Sequence, residues 1–363
     1  MRNLARKCIR DLKPYEPGRP IEEIKRDLGI KKVVKLASNE NPLGTSKKAI
    51  KAIMEMTDRL NRYPDGGCFY LKRKLSGVLK VKESNLIFGN GSNEIIELLT
   101  RAYLNEGEEV VVAEPSFLIF KLAAAVQGGV PVAVPLKSFS YDLNAMKKAI
   151  TPKTKIVFID NPNNPVGISI GEKELEKFLN DLPKDIIVVL DEAYNEFVER
   201  NDFPDSLKYI DRGNVIVLRT FSKAYGLSGL RIGYGVACSE IIEYMNKVRQ
   251  PFNVNSVAQA AALASLNDKA FIKKVRSLVL KEKYKLYYAL DKMGLKYVGS
   301  DTNFVLINIK RDSKKVFNRM LKKGVIIRDM CAYGLRNYIR VTIGKPDENR
   351  KFIRALKKVL NND

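Results

Sequence analysis

From residue 85 onward, short apolar runs alternate with stretches whose apolar residues recur at helical spacing. The runs are NLIFGN (85–90), EVVVAEP (109–115), VPVAVPL (130–136), KIVFIDN (155–161), IIVVLDE (186–192), VIVLRTF (215–221) and RIGYGVA (231–237). Many are nearly continuous in Val and Ile, the pattern of strands covered on both faces. Strand, helix, strand in this order predicts an α/β domain with a mostly parallel sheet flanked by helices. Ligands of such sheets lie beyond the carboxyl ends of the strands, so the polar residues that close each run are the candidates for function.

The pattern changes after residue 250. VNSVAQAAALASLND (254–268) opens a long helical stretch that reaches about residue 293. Strand-like LKYVG, NFVLINI, VIIRDM and YIRVTIG follow, alternating with helical DSKKVFNRMLKKG and DENRKFIRALKKVL. This predicts a second, smaller α+β domain. The expected division is an N-terminal arm with part of the small domain (1–44), a large domain (45–250), and an interdomain helix with the small domain (251–363).

Composition narrows the chemistry. The 363 residues contain no histidine, so Ser–His–Asp and Cys–His catalysis and histidine metal sites are excluded, and a proton shuttle must use Lys, Asp, Glu, Tyr or Cys. The four cysteines, Cys8, Cys68, Cys238 and Cys331, are isolated, so neither a disulfide framework nor a metal site is expected. No apolar run approaches the roughly 20 residues that span a bilayer, and the basic N-terminus lacks the apolar stretch of a signal peptide. A cytoplasmic protein without membrane or nucleic-acid partners is expected. The formal charge of +23 permits a nucleic-acid reading. The basic residues, however, are spread along helical faces, which suits a solubilising surface that also attracts anionic substrates.

Five junctions carry candidate chemistry. Gly89-Asn90-Gly91-Ser92-Asn93 leads into an amphipathic helix, whose first N–H groups form an anion site, although an ordinary capped turn has the same look. In AEPSF, Phe117 can stack on a flat ligand or join the core. The turn DNPNNPVG (160–167) has two X-Pro steps and presents Asn163 and Asn164. In LDEAY, Asp191 closes a strand, with Tyr194 three residues on, as a ligand carboxylate or a helix cap. In RTFSKAYGLSGLRIG, Thr220, Ser222 and Lys223 follow a strand, and Arg231 comes eight residues after the lysine. A partly buried lysine has a depressed pKa and is a nucleophile, and hydroxyls with an arginine hold phosphate.

In order and spacing these motifs resemble the fold-type I pyridoxal-phosphate (PLP) aminotransferases of class I/II. The local stretches LKPYEPGRP, LASNENPLG, NRYPDGG, GNGSNE and VIIRDMCAYGLRNYIRVTIG are similar to the histidinol-phosphate aminotransferases within that class. Two departures are Phe117, where some relatives carry tyrosine, and Arg336, where a neutral residue is expected. The resemblance implies PLP held as a Schiff base by Lys223, with Asp191 on the pyridine nitrogen and Tyr194 and Asn164 on the ring oxygen. It implies Phe117 on the ring face, and Gly91, Ser92, Asn93, Thr220, Ser222 and Arg231 around the phosphate. It also implies a homodimer in which Tyr63 reaches the partner's cofactor, and substrate contacts from Tyr15, Asn39, Arg328 and Arg340. The implied reaction takes histidinol phosphate and 2-oxoglutarate to imidazole acetol phosphate and glutamate. An aromatic-amino-acid aminotransferase is the alternative, and a nucleic-acid-binding or PLP-fold regulator is the alternative of another class. A regulator of that kind needs an added helix-turn-helix module, for which the N-terminal arm is too short.

Overall fold

In the computed structural model, residues 4–10, 12–14, 21–30 and 32–361 are described. Seven strands form the central sheet, in the spatial order Leu86–Gly89, Gly233–Ala237, Val215–Thr220, Ile187–Asp191, Thr154–Asp160, Glu109–Glu114, Val130–Pro135. The last five of these run parallel to one another, and Gly233–Ala237 is antiparallel to both of its neighbours. Each of the seven apolar runs contains a strand, within one or two residues of the bounds the hydrophobic pattern gives.

Their near-continuous apolar character has a direct cause. Side chains alternate faces along a strand, and both faces of the inner strands are covered, whereas the edge strand Val130–Pro135 is buried only at Val134. Val111, Val157, Val188, Leu190 and Val217 enter one buried cluster. Val110, Val112, Ile156, Phe158, Val189, Ile216 and Leu218 enter the other. Each such side chain contributes roughly 1.5–3 kcal/mol by leaving water.

The smaller unit has an antiparallel sheet of Arg328–Asp329, Tyr338–Thr342 and Phe304–Asn308. Here the structure differs from the pattern in three places. LKYVG contributes only the isolated bridge Tyr297–Ile307. The run VIIRDM divides. Val325–Ile326 pairs in parallel with Val34–Lys35, and Arg328–Asp329 pairs with Ile339–Arg340, so fully buried Ile327 marks the passage between two sheets. The long helical stretch also divides, into Ser256–Leu266 and Lys269–Asp291, because Asn267 and Asp268 intervene and the Asp268 carboxylate caps Phe271 N. The first of these helices packs with the large-sheet core through Ala258, Ala261 and Ala262, although it lies beyond residue 250. Among the described residues, no helix is long and apolar enough to cross a membrane.

Candidate active site

The strands Leu86–Gly89, Ile187–Asp191, Val215–Thr220 and Thr154–Asp160 all end at one cavity of about 260 Å³. Ten of the residues singled out in the sequence line it: Ser92, Asn93, Phe117, Asn164, Asp191, Tyr194, Thr220, Ser222, Lys223 and Arg231.

One end of the cavity is built for an anion. Gly91 has φ +83°, and its turn delivers the chain into the helix Ser92–Tyr103, whose first N–H groups face the opening. A side chain at Gly91 would strike the Arg231 guanidinium, and a Cβ at Gly233 would come within 2.5 Å of Ser92 N. Both glycines therefore bring the helix start, the arginine and the neighbouring strand into contact. Arg231 is itself in the left-handed region, φ +55°, and donates to Ser228 O at 3.2 Å. The Thr220 hydroxyl accepts from Ser222 N at 3.1 Å, folding the loop so that both hydroxyls reach the cavity.

The floor and wall carry the titratable groups. Asp191 is 4% exposed and accepts from Ala193 N at 3.0 Å. Burial, reinforced by the nearby Asp160 carboxylate, pushes Asp191 up to about 7. Lys223 Nζ donates to Ser38 O at 3.3 Å and lies 5.6 Å from the centre of the Tyr194 ring. Burial first, then the Arg340 and Arg231 charges, bring its ammonium down to about 8, against the pull of Glu40 and Asp191. An amine with that proton affinity has a far larger neutral fraction near physiological pH than an ordinary lysine, which a nucleophile and proton carrier requires.

Tyr194 is buried, and its phenol is pushed up by desolvation while Arg340 opposes the rise. Its oxygen accepts from Asn39 Nδ2 at 2.8 Å. Asn39 has φ +55° and is fixed by Thr342 Oγ1, which accepts from its N–H at 2.9 Å, and by Asn303, which donates to its carbonyl at 3.0 Å. Arg340 is 7% exposed and bonds two neutral acceptors, Asn164 Oδ1 and Ala37 O. Its guanidinium lies 5.1 Å from the Phe304 ring centre, and its Nε is buried with no hydrogen-bond partner among the described residues. Because Asn164 Oδ1 faces the guanidinium, its NH₂ is left as the end that can donate elsewhere. Arg328 lies directly across the antiparallel ladder from Arg340; neither arginine nor Asn39 is in the cavity lining, and Arg340 and Asn39 meet it through Asn164 and Tyr194.

Tyr63 does not reach the cavity within its own chain. It is 84% exposed, stacks on Phe252 at 4.9 Å and borders a separate surface hollow. Tyr15 lies outside the described residues. The structure adds Ser38, Glu40, Asp160, Pro162, Ala193 and Ser228 to the lining. Glu40 belongs to LASNENPLG and Asp160 opens DNPNNPVG, so the motifs contained both, but no local pattern distinguished their side chains.

The donor set suits a flat, phosphorylated, aldehyde-bearing ring such as PLP. It offers an anion cradle, a buried carboxylate for a ring N–H, an amine on the wall, and an aromatic side chain beside them. Among the described residues there is no cluster of groups that could hold a metal ion.

Known proteins resemble this chain along nearly its whole length. The histidinol-phosphate aminotransferase of Moorella thermoacetica is 51% identical over 358 residues, 98% of this chain and 93% of that protein. The histidinol-phosphate aminotransferase of Caldicellulosiruptor saccharolyticus is 46% identical, over 98% of this chain and all of that protein. The crystal structure of histidinol-phosphate aminotransferase from Sinorhizobium meliloti, in complex with pyridoxal-5'-phosphate, superposes with a TM-score of 0.92 at 28% identity, covering 99% of this chain and 98% of that one. Residues 31–356 match the family aminotransferase class I and II, and the chain belongs to that family.

Proposed function

We propose that this protein is a PLP-dependent aminotransferase that moves the amino group of histidinol phosphate to 2-oxoglutarate, giving imidazole acetol phosphate and glutamate. The observation that carries the reading is the juxtaposition of Lys223, an amine with lowered proton affinity, with the buried Asp191 carboxylate and the anion cradle in one cavity. Relatives named for this activity along their full lengths support the substrate assignment over an aromatic-amino-acid aminotransferase.

When bound, PLP supplies an aldehyde that condenses with amines and a ring that delocalises the electron pair left by a departing α-proton. Lys223 Nζ would be the amine that holds that aldehyde, and as a free amine it would carry the proton from the substrate carbon that bears the amino group to the carbon that had been the aldehyde. Asp191 holds a positive charge at the ring nitrogen, which burial alone would not favour. The Asn164 NH₂ and the Tyr194 hydroxyl hold the ring oxygen, and Phe117 covers a ring face. Ser92, Asn93, the Gly91 turn, Thr220, Ser222 and Arg231 hold the phosphate.

Histidinol phosphate has no carboxylate and glutamate has two, so one site must take a phosphate in one half-reaction and a carboxylate in the other. Guanidinium binds either through parallel hydrogen bonds. Arg340 serves both, because its present partners are neutral and its Nε has none among the described residues. Arg328, Asn39 and Tyr15 assist at the substrate. In single-turnover kinetics, Arg340→Ala should slow both half-reactions by about 10²-fold or more while PLP stays bound. Damage to one half alone contradicts the shared site, and loss of the cofactor assigns Arg340 a structural role.

The active protein is a homodimer. Leu60, Tyr63, Phe69 and Tyr70 are all at least half exposed along one stretch, the kind of apolar surface a partner covers. Tyr63 reaches the partner's cofactor phosphate. Tyr63→Phe should weaken PLP binding by about tenfold, the loss of one hydrogen bond to a charged group. A protein that sediments as a monomer with full activity contradicts this arrangement.

A further inference from the structure

Asp160 closes the strand Thr154–Asp160 and lies beside Asp191 in the parallel register. Its carboxylate is 3% exposed, yet it is surrounded by donors. Phe117 N donates to Oδ2 at 3.2 Å, and Asn164 N donates to the same oxygen at 2.8 Å. Asn163 Nδ2 donates to Oδ1 at 3.1 Å, and the Tyr141 hydroxyl donates to Oδ1 at 2.7 Å. Two of these donors belong to residues of the cavity lining that come from separate segments. Phe117 precedes the helix Leu118–Val126, and Asn164 carries the Oδ1 that holds Arg340.

We propose that Asp160 is a positioning residue, whose acceptor-only carboxylate ties the backbone of Phe117 to that of Asn164. It thereby sets Phe117, the Asn164 amide and, through that amide, Arg340 relative to one another. The proposal rests on the reading that this cavity holds PLP, since Phe117 and Asn164 are the residues assigned to its ring.

The chemistry of the site explains why a carboxylate is needed. Two of the four donors are backbone N–H groups that cannot rotate. An amide at position 160 offers one acceptor oxygen. With that oxygen toward Phe117 N and Asn164 N it keeps both anchors, but its NH₂ then faces the Asn163 NH₂, whose own oxygen is already held by Val166 N, so only a carboxylate accepts on both sides at once. Packing gives no reason for a charge here. Burial pushes Asp160 up to about 6, and its presence raises the neighbouring Asp191 as well. An apolar strand end would avoid both costs, so accepting from these donors, the two backbone amides first, is what the side chain contributes.

The test compares Asp160→Ala, which removes the acceptor of both amides, with Tyr141→Phe. The second removes one donor and leaves both amide anchors in place. In cofactor-free Asp160→Ala, hydrogen exchange should accelerate about tenfold or more in peptides spanning Phe117 and Asn164, with the rest of the central sheet unchanged. The Kd for PLP, titrated by fluorescence, should weaken by about 10- to 100-fold, whereas Tyr141→Phe should stay within about threefold of the wild type. Wild-type exchange at both segments in Asp160→Ala overturns the proposal, and so does acceleration across the whole sheet, which marks a general structural role. A tenfold loss of PLP affinity in Tyr141→Phe also overturns it, and that arm decides the matter if Asp160→Ala does not fold. If the wild-type protein itself fails to bind PLP, the cofactor reading is wrong, while the exchange comparison still judges the anchoring.

Discussion

Lys223→Ala should reduce transamination by at least about 10⁴-fold, because one nitrogen serves as both nucleophile and proton carrier. Protein reconstituted with PLP and dialysed should lack the visible absorption of a lysine-bound cofactor. The physical alternative is distinct. Lys223 is half-buried, its hydrogen bond to Ser38 O goes to a neutral carbonyl, and desolvation already disfavours its charge. If it had no chemical role, its removal would relieve a desolvation cost, leaving activity intact and the protein at least as stable. Retained stability with abolished turnover is therefore the expected signature. A persistent visible band in the variant would show that another amine holds the cofactor.

Asp191→Asn should keep PLP bound and lower turnover by about 10²- to 10⁴-fold. An amide cannot balance a positive charge on the ring nitrogen, and electron withdrawal into the ring then weakens. If Asp191 only capped the turn that follows its strand, the result would differ. The bond it accepts from Ala193 N can be accepted equally by an asparagine oxygen. That role leaves near-normal kinetics in Asp191→Asn and a stability loss of about 0.5–2 kcal/mol only on full truncation. Steady-state kinetics with thermal melting of the loaded protein distinguish the two, and near-wild-type turnover removes Asp191 from the chemistry.

The parts of this site that were legible in the sequence lie at the ends of strands. Val/Ile-rich runs locate the sheet, the parallel order puts ligands at the carboxyl ends, and Ser92, Asp191, Thr220 and Lys223 follow directly. Less visible were the relations between distant segments. The Arg340–Asn164 bond joins residues 176 positions apart, and the Asn39–Thr342 contacts join residues 303 apart. No local periodicity encodes either. Asp160 was read as the first residue of a rigid turn, because the donors that give it meaning come from Phe117 and Tyr141 as well as from its own turn. The division of VIIRDM between two sheets escaped the hydrophobic pattern for a similar reason. A buried isoleucine between two short strands reads as one continuous strand until the partners are known. The break at Asn267 and Asp268, by contrast, is a capping signal present in the sequence itself.

On the proposed reading, this cavity takes its amino group from a phosphorylated imidazole donor. Single-turnover reaction of the PLP-loaded protein with histidinol phosphate, phenylalanine or tyrosine measures this directly, followed by loss of the visible cofactor band. Histidinol phosphate should react with an apparent second-order constant at least about 100-fold above either aromatic amino acid, the discrimination expected when a two-oxygen carboxylate replaces the phosphate and leaves donors beside Arg340 unpaired. Equal or faster reaction with phenylalanine or tyrosine would contradict the account and assign the site to aromatic amino acids.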